Sequence, residues 1–150
     1  MAHIRQQVRE KVRERLATIA GLTVPENVAG SVVDASLPAA LVSTPSEEVT
    51  APARNQDDGG GLALRRITVV VVLVDHGDVS EDDLDARCVD VEKKLADDLD
   101  GLVRFFPPVA NMRYELERMT DEGGERWYSF VELTFTFETA TQLGDPEVVL

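Results

Sequence analysis

The sequence predicts an α+β domain, with two helices packed on one face of a mostly antiparallel sheet of four to five strands. Two amphipathic stretches, at residues 4–19 and 80–102, flank a β-branched run at 67–74, and two alternating segments follow. Helices that share one face of a sheet bury their apolar stripes in an economical two-layer packing. A chain of 150 residues is long enough to bury one such core.

The first helix is predicted from apolar residues spaced at three and four positions, which form one stripe on a helix. These residues are Ile4, Val8, Val12, Leu16 and Ile19. Arginines and a lysine occupy the other faces, and Gly21 marks the predicted end. Membrane-binding basic helices favour a broad aromatic face, which this segment lacks, so packing on the sheet is the favoured interpretation.

The second helix is predicted to begin at Ser80, whose hydroxyl can cap it, with three acids in the first turn. Gly101 supplies a left-handed stop. Cys88 falls within the buried stripe, which indicates a small core residue and not a nucleophile. The predicted stripe consists of Leu84, Cys88, Val91, Leu95, Leu99 and Leu102.

The run from Ile67 to Val74 has apolar residues on both faces, whereas a strand open to water on one side alternates. Both faces therefore need cover, one from the helices and the other from outside the chain. A closing hairpin is predicted from alternation at 110–117 and 127–138, with the turn at 121–124. Trp127 falls on the same predicted face as the apolar residues from Val131 to Phe137.

The region between the first helix and this run predicts short β segments at 31–33 and 37–44. Pro38 should lie at a strand start or on an edge, because it has no N–H for a ladder. Residues 45–64 are rich in glycine, proline and acids, and predict a long mobile hairpin loop. We therefore expect one domain at 1–138 and a polar C-terminal tail at 139–150.

The net charge of −13 argues against a nucleic-acid binder of the usual basic kind. Residues 75–100 carry a net charge of −8, which indicates either a solvated acidic face or a surface that repels DNA or meets a basic partner. A single cysteine, no apolar leader at the N-terminus and no apolar run long enough to span a bilayer together predict a cytoplasmic product with no membrane partner.

No catalytic, cofactor or metal site is predicted. His3 and His76 have no second ligand at zinc spacing. The stretch 75–78, Asp-His-Gly-Asp, could suggest a catalytic dyad, but a polar turn between strand and helix is favoured. Asp57 and Asp58, which precede three glycines, match neither a phosphate loop nor a calcium loop, so a flexible linker is the better interpretation.

The order of these features resembles the phage tail terminator family, the group of minor tail protein U, and tail proteins of gene transfer agents. The opening at 3–9, HIRQQVR, and the segment at 37–44, LPAALVST, are similar to the family's start and its Leu-Pro-x-x-Leu-Val strand. An apolar strand, an acidic-headed helix and a closing hairpin complete the likeness over residues 3–138. The long loop and the tail depart from it.

The resemblance implies a non-enzymatic virion protein, at the head-proximal end of the tail, that is assembled in the host cytoplasm. It would form a hexameric ring on the major tail tube protein, stop tube growth and join a head-side connector or stopper, with DNA passing through the lumen. A related head–tail completion protein and a small-molecule-binding regulatory domain stay as alternatives. The candidate subunit-interface residues are Val70, Val72, Val74, Pro38, Asp57, Asp58, Val148 and Leu150.

Overall fold

The computed structural model of the chain describes residues 2–26, 36–50, 61–121 and 124–150. Five strands form one antiparallel sheet in the order β1-β2-β4-β3, with β5 paired to the end of β4. This arrangement confirms the predicted α+β class. The elements are α1 (Ile4–Leu16), β1 (Ala39–Thr50), β2 (Leu62–His76), α2 (Glu81–Leu95), β3 (Arg104–Asp121), β4 (Gly124–Gln142) and β5 (Asp145–Val149).

The core lies between the two helices and one face of the sheet, which we call the inner face. Successive residues of β2 and β4 alternate between this buried face and the opposite face, as the period of two in a strand requires. The apolar stripes of both helices are buried in the same cluster, including Cys88 at 2% exposure. The inner-face side chains of the central strands are Ile67, Val69, Val71, Leu73, Val131, Leu133, Phe135 and Phe137.

Both helices begin as local chemistry dictates, and both end earlier than predicted, α1 at Leu16 instead of Gly21 and α2 at Leu95. The Ser80 hydroxyl accepts a hydrogen bond from Asp83 N at 3.1 Å, as expected of the cap. The helix stops at Leu95, and the Asp97 carboxylate then accepts from Leu99 N at 2.8 Å. This side-chain bond offers the backbone an alternative to the helical ladder. Leu99 lies outside the helix with φ of 49°, yet its side chain is fully buried.

The predicted loop at 45–64 is shorter in the structure, since β1 continues to Thr50 and β2 begins at Leu62. Residues 46–50 of β1 pair with residues 64–68 of β2, so the hairpin is longer than the sequence predicts. Residues 51–60, including Asp57 and Asp58, lie outside the described residues, as does the β segment predicted at 31–33. Pro38 follows a cis peptide bond and directly precedes the edge strand β1, in the predicted position.

The residues predicted as a polar tail belong to the sheet. Strand β4 runs through Gln142, and β5 pairs with its end. Thr139 and Thr141 are buried at 7% and 0% exposure. Both are polar, but both are β-branched and face inward, which suits a strand. Leu150 N donates to Ala140 O at 2.9 Å. Within the described ranges, neither helix has the length and apolar character needed to cross a bilayer.

Candidate interaction surfaces

The face of the sheet opposite the helices, here the outer face, is only partly covered. Val70 and Val72 of β2, with Leu41 of β1 and Phe130 of β4, are half-buried. Val74 lies on the same face but is 2% exposed. The chain itself therefore already covers Val74, contrary to the expectation that all three valines need outside cover. Val70 and Val72 stay partly exposed on the outer face.

The other candidate interface residues are spread over the molecule. Pro38 is half-buried beside β1, and Leu150 is 66% exposed near the end of β4. The side chain of Val148 and both Asp57 and Asp58 fall outside the described residues. The structure thus brings Val70 and Val72 together on one surface. Neither Pro38 nor Leu150 pairs with either valine.

An arginine on the outer face stacks on an aromatic ring. The Arg66 guanidinium carbon lies 4.7 Å from the centre of the Phe106 ring, and Arg66 Nε donates to Glu138 Oε2 at 3.1 Å. Both contacts are solvent-accessible, because half of the Arg66 side chain is exposed. Contacts of this kind contribute roughly 0–1 kcal/mol.

A network of buried ion pairs lies on the inner face, centred on Arg65, the residue next to Arg66. Glu47 pairs with the Arg65 guanidinium, and both side chains are 10% exposed or less. Arg65 Nε also donates to Thr141 Oγ1 at 2.8 Å, and Arg5 Nε of α1 lies 3.2 Å from Glu47 Oε2. The network therefore ties α1, β1, β2 and β4 together.

A register shift in β1 places Glu47 in that network. Val42 pairs with Val71, whereas Glu47 pairs with Ile67, with the shift between Ser43 and Ser46. One extra residue in a strand exchanges its two faces. Even-numbered residues of β1 face inward before the shift, and odd-numbered residues face inward after it.

The end of α1 is held by acids that follow α2. Arg15 donates to Asp97 Oδ2 at 2.5 Å and to Asp100 Oδ1 at 2.8 Å. The hydrogen bond to Asp97 raises the pKa of Arg15 above its ordinary value, against the opposing effect of burial. Burial alone would raise the pKa of Asp97, but hydrogen bonds from Arg15 and from Leu99 N lower it overall.

The turn between β2 and α2 is a structural element, as the sequence favours. Asp75 is 4% exposed and forms an ion pair with Arg87 of α2, and its Oδ1 accepts from His76 N at 2.7 Å. His76 itself is exposed. The Asp75 carboxylate is thus engaged in joining the strand to the helix.

Gly77 in this turn lies against β4. Its N–H donates to Trp127 O at 2.8 Å. A Cβ at this position would lie 2.6 Å from Trp127 Cβ and 2.7 Å from Trp127 O. Because no real Cβ tolerates such distances, the contact requires glycine.

A concavity of about 560 Å³ opens beside this turn. Its two large apolar side chains, Leu116 and Trp127, are 59% and 53% exposed. Trp127 is exposed although it lies on the same face of β4 as the buried core residues. The exposure follows from strand length, because the pairing of β2 with β4 ends at Tyr128. The lining residues are His76, Gly77, Asp78, Leu116, Arg126 and Trp127.

Several of these features were not predicted from the sequence. The exposure of Trp127 could have been inferred only from unequal strand lengths, since β2 ends where the polar turn at 75–78 begins. The Glu47–Arg65 pair depends on a register shift that no motif marks. Among the residues that the structure describes, no group of three or more histidine, cysteine, aspartate or glutamate side chains is placed to hold a metal ion.

Comparison with known proteins identifies no family. No family model matches the chain, and no curated protein matches it. A solved structure described as the virion of a native gene transfer agent particle contains a chain that aligns with 86% of this one and 93% of its own length. The identity is 15% and the TM-score is 0.33, a likeness too low to carry an argument about family or function.

Proposed function

We propose that this chain is a structural virion protein that assembles into a closed ring, of six copies, on the end of a phage-type tail tube. The ring would stop addition of tube subunits and provide the joint to a head-side connector, with DNA passing through its lumen. The protein would act through shape and self-association and not through catalysis. The net charge of −13 suits such a lumen, because it offers phosphates few counter-charges.

The observation that carries this proposal is the outer face of the sheet. Leu41, Val70, Val72 and Phe130 are half-buried there, on three hydrogen-bonded strands. Contiguous apolar patches on a protein surface mark interaction sites, and we infer that these four side chains form part of one. A surface that meets a different patch on the next copy closes into a ring when the rotation is a fraction of a full turn.

The mass of the purified protein in solution tests the proposal. We expect a concentration-dependent oligomer, which sedimentation velocity resolves as discrete species. The double variant Val70→Thr with Val72→Thr keeps the β-branched shape but adds hydroxyls, and should shift the distribution towards monomer. Val89→Thr is the matched control, because Val89 is 47% exposed on α2, away from the sheet.

Two results would count against the ring. One is a strict monomer for the unchanged protein at all accessible concentrations, together with its absence from purified tails. The other is an equal loss of association in the Val89→Thr control. In the first case the half-buried valines would have no partner, and in the second the association would not depend specifically on the outer face.

The alternative, a small-molecule-binding regulatory domain, would use the concavity beside Trp127. Exposed aromatic and aliphatic side chains with a few polar groups are usual in ligand sites, and Leu116, Arg126 and His76 supply them here. A thermal-shift screen against metabolites separates the two ideas. A saturable shift that is lost in Trp127→Ala would favour the ligand-binding function.

A further inference from the structure

The end of the sheet beyond β2 is a two-stranded ribbon. The pairing of β2 with β4 ends at Tyr128. Within the described part of the chain, residues 124–127 of β4 pair as a strand only with residues 118–121 of β3, apart from the backbone bond that Gly77 donates to Trp127 O. We call these two segments the hairpin arm. Because a two-stranded ribbon is at best marginally stable in water, a packing partner would stabilise the hairpin arm.

Two apolar side chains lie next to each other at the base of the hairpin arm. Leu116 pairs with Ser129, and Trp127 is two residues from Ser129 along β4, so all three are on the inner face. Leu116 and Trp127 line the same concavity, and both are more than half exposed. No other exposed large apolar side chain among the described residues lines that concavity. We call Leu116 and Trp127 the arm patch.

The arm patch and the half-buried apolar residues of the outer face lie on opposite faces of one sheet. We call Leu41, Val70, Val72 and Phe130 the outer patch. Because the two patches are on opposite faces, they cannot meet within one copy. A patch that meets its own equivalent gives a two-fold dimer, whereas a cyclic ring of six copies requires two different patches that meet between neighbours. The arm patch and the outer patch supply two such surfaces.

We infer that the arm patch of one copy of this chain packs on the outer patch of the next copy. The inference rests on the proposed ring, and it names the two surfaces that meet in it. The contact would repeat in the same direction from copy to copy, and both patches would leave water. Apolar burial needs no opposite charges. At physiological salt, the repulsion between copies of net charge −13 is screened over about 8 Å.

Two variants that each alter one patch test the contact. Leu116→Thr alters the arm patch, and Val70→Thr with Val72→Thr alters the outer patch. Each variant should weaken self-association at least about tenfold, because each removes apolar area from one side of every contact. Equal mixing of the two variants should give a 1:1 dimer in sedimentation velocity, since one keeps its outer patch and the other keeps its arm patch. This dimer should not grow, because only the altered patches stay open.

Trp127 gives a second measurement, because it is the chain's single tryptophan. Dilution of the unchanged protein should shift its emission to longer wavelength, as the copies separate and Trp127 enters water. The outer-patch variant should show the longer wavelength at every concentration, although its substitutions are on the opposite face from Trp127. The matched control Val89→Thr, which alters an exposed valine of α2, should behave as the unchanged protein in both measurements.

Three results would overturn the inference without refuting the ring. The first is an oligomer of the unchanged protein whose Kd changes by less than about twofold in Leu116→Thr, which would assign the arm patch to another occupant. The second is a mixture of the two variants that contains no 1:1 dimer. The third is Trp127 emission that stays constant while the oligomer dissociates. A strict monomer for the unchanged protein would instead refute the ring, and the inference with it.

Discussion

Glu47 and Glu138 offer a comparison of two carboxylates that pair with adjacent arginines on opposite faces of β2. Glu47 pairs with Arg65, and both side chains are at most 10% exposed. Glu138 pairs with Arg66, whose side chain is 50% exposed. The substitutions Glu47→Gln and Glu138→Gln remove one charge each and keep the side-chain size. Their effects should therefore differ mainly through burial, with a smaller contribution from Arg5, whose side chain is 45% exposed and also contacts Glu47.

Glu47→Gln should lower the free energy of unfolding by about 3–5 kcal/mol, because the Arg65 cation stays buried without its counter-charge. Glu138→Gln should lower it by about 0–1 kcal/mol, since water solvates Arg66. Urea denaturation at neutral pH, followed by circular dichroism, measures both. The double variant Glu47→Leu with Arg65→Met removes the pair entirely, and should recover most of the loss or exceed the original stability.

Equal losses for Glu47→Gln and Glu138→Gln would refute this reasoning. They would mean that water reaches Arg65, so that burial in the folded chain does not set the energetics of the pair. A double variant less stable than Glu47→Gln would refute it as well, because the residual penalty would then not come from an unpaired cation.

Three further predictions concern local interactions. Asp97→Asn should destabilise the protein by less than about 1 kcal/mol at neutral pH, because the carboxylate is half exposed. The pKa of Asp97 is lowered in the folded protein, so its contribution to stability is present above the unfolded pKa of about 3.9 and is lost as pH falls through the folded pKa. Urea denaturation at neutral and acidic pH should therefore show the unfolding free energies of the original protein and the variant converging below the folded pKa. Gly77→Ala should cost about 1–3 kcal/mol because its Cβ meets Trp127, and calorimetry would show an unchanged melting temperature if the chain moved aside freely. Ser80→Ala should cost about 1 kcal/mol by loss of the α2 cap, and Ser80→Asp, measured in parallel, should retain the stability.

Much of the fold follows from hydrophobic period, and the departures have identifiable causes. The alternation from Val131 to Phe137 predicted the core face of β4, because that strand pairs on both sides along this stretch. The same alternation placed Trp127 on the core face, but burial also requires a covering neighbour, and β2 ends before it. The spacing of Leu99 fits the helical stripe, yet α2 ends at Leu95 and the Asp97 carboxylate accepts a hydrogen bond from Leu99 N beyond it.

The candidate interaction surfaces were less accessible to sequence reasoning. The apolar run of β2 correctly indicated side chains on both faces, and Val70 and Val72 stay partly exposed on the outer one. Val74 does not, because neighbouring residues of the same chain cover it. The pairing of the first half of β3 is interrupted by register shifts between Phe106 and Arg113. The prolines at 107 and 108 indicate an interruption, but they do not indicate its register.

The register shift near Pro45 has a consequence for how β1 can change in length. Two residues of β1 between Ser43 and Ser46 lie opposite one residue of β2. Deleting one of them would remove the bulge, and Glu47 would keep its pair with Ile67 and its place on the inner face. Deleting both would leave β1 one residue short, so that Glu47 turns to the outer face or the pairing with β2 slips. Homologous chains should therefore differ by one residue here without other changes, and a loss of two should be accompanied by replacement of the charges at both 47 and 65.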